Sequence, residues 1–195
     1  MNDMMKITVN LMAICAAAGL IISATWAVTE PVRVKKEAQE RDAALKGLIP
    51  EARTIKPVRT FTVDGKEHQI YQAEKDGSTI GYVVSTAGRG YSSFIRMLVA
   101  AGPDNRVTGI DILGHGETPG LGDGIMEEEF QSRFKGKGLE DLFVVKGPAG
   151  TGIEAISGAT ISSKAVTKGV KEAVEKLAEE REKGLDGQPA APANN

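Results

Sequence analysis

The chain has 195 residues, room for one domain of ordinary size plus an extra segment, and its 24 basic residues nearly balance 26 acidic ones. That balance excludes the basic footprint of a nucleic-acid binder. A single cysteine, Cys15, rules out an internal disulfide or a cysteine-held cluster, the distant pair His68 and His115 argues against a zinc site, and 23 glycines with few aromatics indicate a turn-rich β core.

From Ile7 to Val28 the chain reads "ITVNLMAICAAAGLIISATWAV", with no charged residue and enough length to cross a bilayer as a helix. Trp26 stands where an aromatic anchors at the membrane interface. The basic region before the span is only Lys6 beside Asp3, and the apolar run is long for a signal peptide, so an uncleaved anchor over residues 1–29 is expected. Ile14 before Cys15 and the apolar run after it argue against lipidation. Ala16, Ala17, Ala18 and Gly19 offer a small-residue face for packing against other membrane helices. Lys6 on one side faces Arg33, Lys35 and Lys36 on the other; a literal count puts the large domain in the cytoplasm, yet long domains translocate largely regardless of charge. The charge rule leaves the orientation open.

Residues 30–52 form a helical linker stopped at Pro50, and residues 53–184 the main domain. The stretch from Phe61 to Gly88 is expected to form hairpins around Asp64-Gly65 and Asp76-Gly77. "FIRMLVAAG" and "RVTGIDILGH" are two further antiparallel strands joined at "PDN". "GETPGLGDGI" is a loop, "MEEEFQSRFKG" a short helix, "LEDLFVVKG" another strand, and a long helix runs from about Ser162 to Lys183. The tail 185–195 is expected to be disordered. The fold class is therefore α+β: an N-terminal transmembrane helix, then a twisted antiparallel sheet flanked by helices.

Two segments carry chemistry: "HGETPGLG" at 115–122 and "SGAT" at 157–160. The second crowds Ser157, Thr160, Ser162 and Ser163 around small Gly158 and Ala159 where a helix begins; one hydroxyl suffices for a cap, and a helix start with small residues suits a phosphate. In the first, Glu117 and Thr118 offer hydrogen-bonding groups, Gly120 and Gly122 allow close approach of backbone to a ligand, and Leu121 supplies an apolar contact. Glu117 has an equally good structural alternative, tying down the amides of its loop. His115 is a candidate for a polar contact to a ligand or a polar surface residue at a strand end, and His68 has no assigned role.

This pair of motifs behind a single span resembles the covalently flavinylated FMN-binding domain family, and within it the G subunit of the Rnf-type ion-translocating electron-transport complex. The C subunit of the sodium-translocating NADH:quinone reductase is similar. The resemblance implies FMN held by a phosphoester to Thr160, attached by a flavin transferase that splits FAD and recognises an acidic residue at the position of Glu154, where aspartate is usual. It further implies flavin contacts from Ser157, Gly158, Ala159 and the "ETPGLG" loop, with Gly88, Gly90, Tyr91 and Ser92 forming another wall. Ser162 and Ser163 are alternative acceptors, assigned chiefly to capping. The function implied is electron carriage inside a membrane complex that couples ferredoxin/NAD electron transfer to sodium or proton movement, with other membrane subunits as partners and the flavin domain on the outer side of the cytoplasmic membrane. A membrane-anchored FMN redox or sensor domain outside any ion pump is the alternative, and a flavin-free anchor domain a third reading.

Overall fold

The computed structural model describes residues 3–63, 66–145, 147 and 150–185, so the Asp64-Gly65 turn and the tail after Leu185 lie outside it. The chain divides into two compact units, Met1–Asp42 and Ala43–Asn195. The first is helical throughout its described length, as part of α1 (Asp3–Leu48). That helix is long and apolar enough to cross a membrane, and none of its apolar window is buried against protein. It continues through Pro31, whose missing N–H leaves the Ala27 carbonyl without its usual partner, and ends two residues before Pro50.

The second unit is built on a five-stranded antiparallel meander in sequence order: β1 (Thr54–Val63), β2 (Lys66–Lys75), β3 (Ser78–Arg89), β4 (Phe94–Ala101) and β5 (Val107–Gly114). The Asp-Gly turn between β2 and β3 has φ of 51° at Asp76 and 81° at Gly77, the left-handed pair that a tight two-residue hairpin demands. β1 starts seven residues earlier than the hairpin predicted from Phe61, because Pro57 sits at an irregularity of this edge strand, where the register shifts between Pro57 and Arg59 and no ladder donor is needed. Strand β4 is buried along nearly its whole length because both faces of the sheet are covered.

On one face lies α3 (Thr160–Glu182), whose Val166, Val170, Ala173, Val174 and Leu177 recur at helical spacing and join the core made by Tyr82, Val84, Met97, Val99, Ile110 and Ile112. On the other, Leu45, Leu48 and Ile49 at the end of α1 pack with Tyr71, Val83, Leu98 and Ala100. A 3₁₀ turn (Gly122–Met126) and α2 (Glu128–Ser132) follow the sheet and bury Ile125 and Phe130. Among the described residues the predicted strand in "LEDLFVVKG" is mostly absent: Leu139–Asp141 is a 3₁₀ turn, and of those described only Val144–Val145 (β6) are in a strand, paired in parallel with β7 (Ile153–Glu154). Leu185, placed with the tail from sequence, is buried in the main core. Its apolar side chain follows the left-handed Gly184 (φ +92°) and folds back beneath α3, as a residue after a helix-ending glycine commonly does. The structure is thus an apolar N-terminal helix followed by an antiparallel sheet with helices.

Candidate functional site

Residues of the two motifs, about 40 apart in sequence, meet at one cavity of about 390 Å³. Its walls are Tyr91, Glu117, Thr118, Leu121, Gly122, Gly158, Ala159, Thr160, Ile161 and Ser162. That volume is within the range of small-molecule and cofactor sites. Gly120 and Ser157 are not among the lining residues; Gly120 has φ +73° in the turn and Ser157 is exposed beside the cavity.

The loop from Glu117 to Gly122 is a compact helical turn, with the Thr118 carbonyl accepting from the amides of Leu121 (3.2 Å) and Gly122 (3.0 Å), and the Gly120 amide donating to Asp123 Oδ2 at 2.9 Å. Glu117 itself points inward. Its carboxylate is 5% exposed and accepts four hydrogen bonds: from the amides of Tyr91 (3.0 Å), Ser92 (3.0 Å) and Ser93 (3.2 Å), and from the Ser162 hydroxyl at 2.5 Å. One side chain therefore ties three segments together: the 90–93 loop, the "ETPGLG" loop and the first turn of α3. The amides it ties belong to the 90–93 loop and not to its own. The Gly116 amide adds a bond to Ser93 Oγ at 2.6 Å, and His115 Nδ1 accepts from the Glu117 amide at 3.1 Å, which leaves Nε2 to carry the proton of neutral His115.

Burial alone would raise the Glu117 carboxyl, but the Ser162 hydroxyl and the three amides outweigh it and hold it below the usual glutamate value. A depressed native value means stability that is present above the unfolded pKa and is lost as pH falls through the native one. Glu117→Gln is expected to lower stability at neutral pH by about 3 kcal/mol, the scale for hydrogen bonds to a buried charge, and to flatten the acid limb of the stability curve. Thermal unfolding of the detergent-solubilised chain between pH 3 and 7 measures both; parallel acid limbs for the two proteins would contradict the assignment.

The glycines around this latch are dictated by contact. A Cβ at Gly90 would lie 2.5 Å from Glu117 Oε1, and one at Gly122 would lie 2.8 Å from Glu117 Cβ. Gly158 has φ +77°, and a Cβ there would meet Leu121 Cδ1 at 2.7 Å, so "SGAT" and "GLG" interlock directly. Gly158→Ala is expected to cost about 1–2 kcal/mol from the left-handed backbone alone, plus displacement of Leu121. A melting temperature matching the parent would contradict this packing. Gly88 does not belong to this site: it lines a separate cavity of about 570 Å³ between α3 and the first four strands, with Phe61, His68 and Phe94, and none of the residues in either motif reaches that cavity. His68 there is stacked on Phe61 and bonded through Nδ1 to the Ser85 carbonyl at 3.2 Å.

The hydroxyls of the "SGATISS" stretch divide sharply. The first residue of α3 is Thr160, no side chain caps the helix, and the first backbone bond runs from Ser163 N–H to Ala159 O at 3.0 Å. The capping assigned to Ser162 and Ser163 is therefore replaced by other bonds. Ser162 is buried against Glu117, while Ser163 is buried, donates to Ala159 O at 3.0 Å and accepts from the Ile156 amide at 3.0 Å. Thr160 is half-buried on the cavity wall, and among the described residues its hydroxyl has no hydrogen-bond partner. An uncapped helix start with a free hydroxyl at its first position is a chemically suitable seat for a phosphate.

Glu154 sits in β7, half-buried, with its carbonyl accepting from Arg133 Nη1 at 2.8 Å while Arg133 Nη2 bonds Glu129 at 2.7 Å. Sequence reasoning missed Arg133, Ser93 and the true role of Ser162. The last was detectable: Ser162, Val166, Gly169, Ala173 and Leu177 follow helical spacing, so a hydroxyl on the core face needed a buried partner.

Residues 90–175 match the FMN-binding domain family. The chain is 41% identical over 177 residues to the G subunit of the proton-translocating ferredoxin:NAD(+) oxidoreductase complex of Clostridium ljungdahlii, covering 90% of this chain and 92% of that one. It is 32% identical over 183 residues to the G subunit of the Na(+)-translocating ferredoxin:NAD(+) oxidoreductase complex of Acetobacterium woodii, covering 85% and 87%. In fold it matches the crystal structure of the C subunit of the Na(+)-translocating NADH-quinone reductase of Parabacteroides distasonis, with a TM-score of 0.57, 22% identity, and coverage of 80% of this chain and 97% of that one. With residues 90–175 matching the FMN-binding domain family and these two relatives covering most of both chains, the chain belongs to the G-subunit family of ion-translocating ferredoxin:NAD(+) oxidoreductase complexes.

Proposed function

We propose that this chain is a covalently flavinylated electron-carrier subunit of an ion-translocating ferredoxin:NAD oxidoreductase, with FMN bound through Thr160 Oγ1. The carrying observation is the division of hydroxyls: Ser162 and Ser163 are buried and bonded, whereas Thr160 opens on the cavity with its hydroxyl unengaged. Attachment forms a bond from Thr160 Oγ1 to phosphorus and breaks the pyrophosphate bond of FAD; AMP leaves and the hydroxyl proton passes to solvent. No base in this chain contacts Thr160 among the described residues, which suits activation by a flavin transferase. Glu154, its carbonyl fixed by Arg133, is the residue for that enzyme to recognise.

Bound FMN supplies reversible electron acceptance and donation. The chain's own residues do the rest. The first amides of α3 would hold the phosphate, and Leu121 and Tyr91 of the cavity wall would contact the ring. A tethered cofactor cannot diffuse away between donor and acceptor, which is what an internal relay requires. α1 is the single-pass anchor, with the flavin domain on the outer side of the cytoplasmic membrane. It has no charged side chain between Ile7 and Val28, so the ion path belongs to other subunits.

The test is affinity capture of the tagged full-length chain from native membranes. The expected result is co-elution of further membrane subunits with ferredoxin:NAD oxidoreductase activity, and cleavage of the sheet domain by protease added to the outer face. A flavin-bearing chain that elutes alone would favour the anchored redox domain instead.

A further inference from the structure

We propose that Glu117 sets the redox potential of the bound flavin, acting as a fixed negative charge in the wall of its cavity. This rests on the reading that the cavity between "ETPGLG" and "SGAT" holds the ring. Glu117 lines that cavity, and all the donors to its carboxylate are neutral: the Ser162 hydroxyl and the amides of Tyr91, Ser92 and Ser93. A buried carboxylate is more commonly paired with a cation, which cancels its field. Here the four donors keep it ionised without supplying a compensating unit charge, so its field is felt inside the cavity. The other titratable groups of these segments and their flanks are Arg89, Tyr91, His115, Asp123 and Lys164; Arg89 is exposed over the Phe94 ring, Lys164 is exposed, His115 accepts from the Glu117 amide and Asp123 accepts from the Gly120 amide, so none is a partner of the carboxylate.

Reduction of the flavin by two electrons and one proton leaves one net negative charge on the ring. A neighbouring carboxylate disfavours that product relative to the oxidised ring, and so lowers the potential. The same four bonds immobilise the loop carrying Tyr91 against the start of α3, so Glu117 is also a positioning residue; the potential separates the charge from the scaffold.

The experiment is spectroelectrochemical titration of the full-length chain, coexpressed and exported with a flavin transferase and solubilised in detergent, as wild type, Glu117→Gln and Ser162→Ala. Glu117→Gln is expected to favour the reduced form at least tenfold, about 30 mV more positive for a two-electron couple. Ser162→Ala retains the charge but removes its shortest bond, so the pH at which the potential steps, as residue 117 takes up a proton, should move upward from its wild-type position. A flavin-loaded Glu117→Gln protein with the wild-type potential would overturn the proposal. Should that variant not load or fold, an unmoved step in Ser162→Ala would overturn it equally. Failure of the underlying site reading is seen earlier and separately, as a wild-type chain without flavin.

Discussion

Thr160→Val should yield a full-length, folded chain that carries no flavin, visible as loss of the fluorescent band in a denaturing gel and of flavin absorbance in the purified protein. The reasoning is steric as well as chemical. Valine replaces the hydroxyl by a methyl of similar size, and because no described residue bonds that hydroxyl, nothing in the fold depends on it. A β-branched residue at the first turn of a 23-residue helix changes its stability by only about 0.5 kcal/mol. Loss of flavin would therefore be a loss of the acceptor and not of the domain. Thr160→Ser, which retains the oxygen, should restore part of the flavin. The neighbouring Ser162 and Ser163 cannot substitute, since each is buried with its hydroxyl committed.

Gly88→Val should be the most damaging substitution outside the site. β3 and α3 approach so closely at this point that a Cβ on Gly88 would overlap the Ala165 carbonyl oxygen and lie 3.0 Å from its carbon. Those are backbone atoms of a helix, and no rotamer change relieves the clash. Across the same interface Gly169 sits under Met97, where an added Cβ would meet Met97 Cε at 3.1 Å, so the helix has no free direction in which to slide. The expected cost is about 3 kcal/mol, toward the upper end of overpacking. Because α3 carries Thr160 at its first residue, displacement should also reduce flavin loading. Gly169→Ala, facing the flexible tip of a methionine, should be milder. A Gly88→Val chain with parental melting temperature and full flavin would show that the helix and sheet are not packed as described.

Both motifs were legible in the sequence because their chemistry is local: the small residues of "SGAT", the turn glycines of "ETPGLG" and the helix that follows Thr160 each announce themselves within a few positions. The sheet was legible from its turn residues, above all Asp76-Gly77, whose left-handed angles only a few residue types accept. Harder to read was anything set by contact between distant segments. Glu117 joins residues 91–93 to residue 162 through bonds spanning 24 to 45 positions, and no spacing rule connects them. "LFVV" has strand propensity but only Val144 and Val145 find a partner among the described residues, because their neighbour is the short β7 and not the edge of the large sheet. Gly88 looked like part of a binding loop and is instead a helix–strand crossing, a distinction that depends on where α3 lands.

The family's two motifs acquire a common physical explanation here. The "SGAT" turn places the Thr160 hydroxyl, and not that of exposed Ser157, on the cavity wall at an uncapped helix start; the "ETPGLG" loop supplies the latch that fixes this start against the opposite wall. Separating them would leave Thr160 with no cavity beside it.

The most direct test of this account is peptide mass mapping of the wild-type chain purified from its native membranes. The account predicts a mass increase of FMN less one water on the single peptide containing Thr160, with fragment ions assigning it to that residue. An unmodified Thr160 in protein drawn from an assembled complex, or the adduct on Ser157 instead, would contradict it.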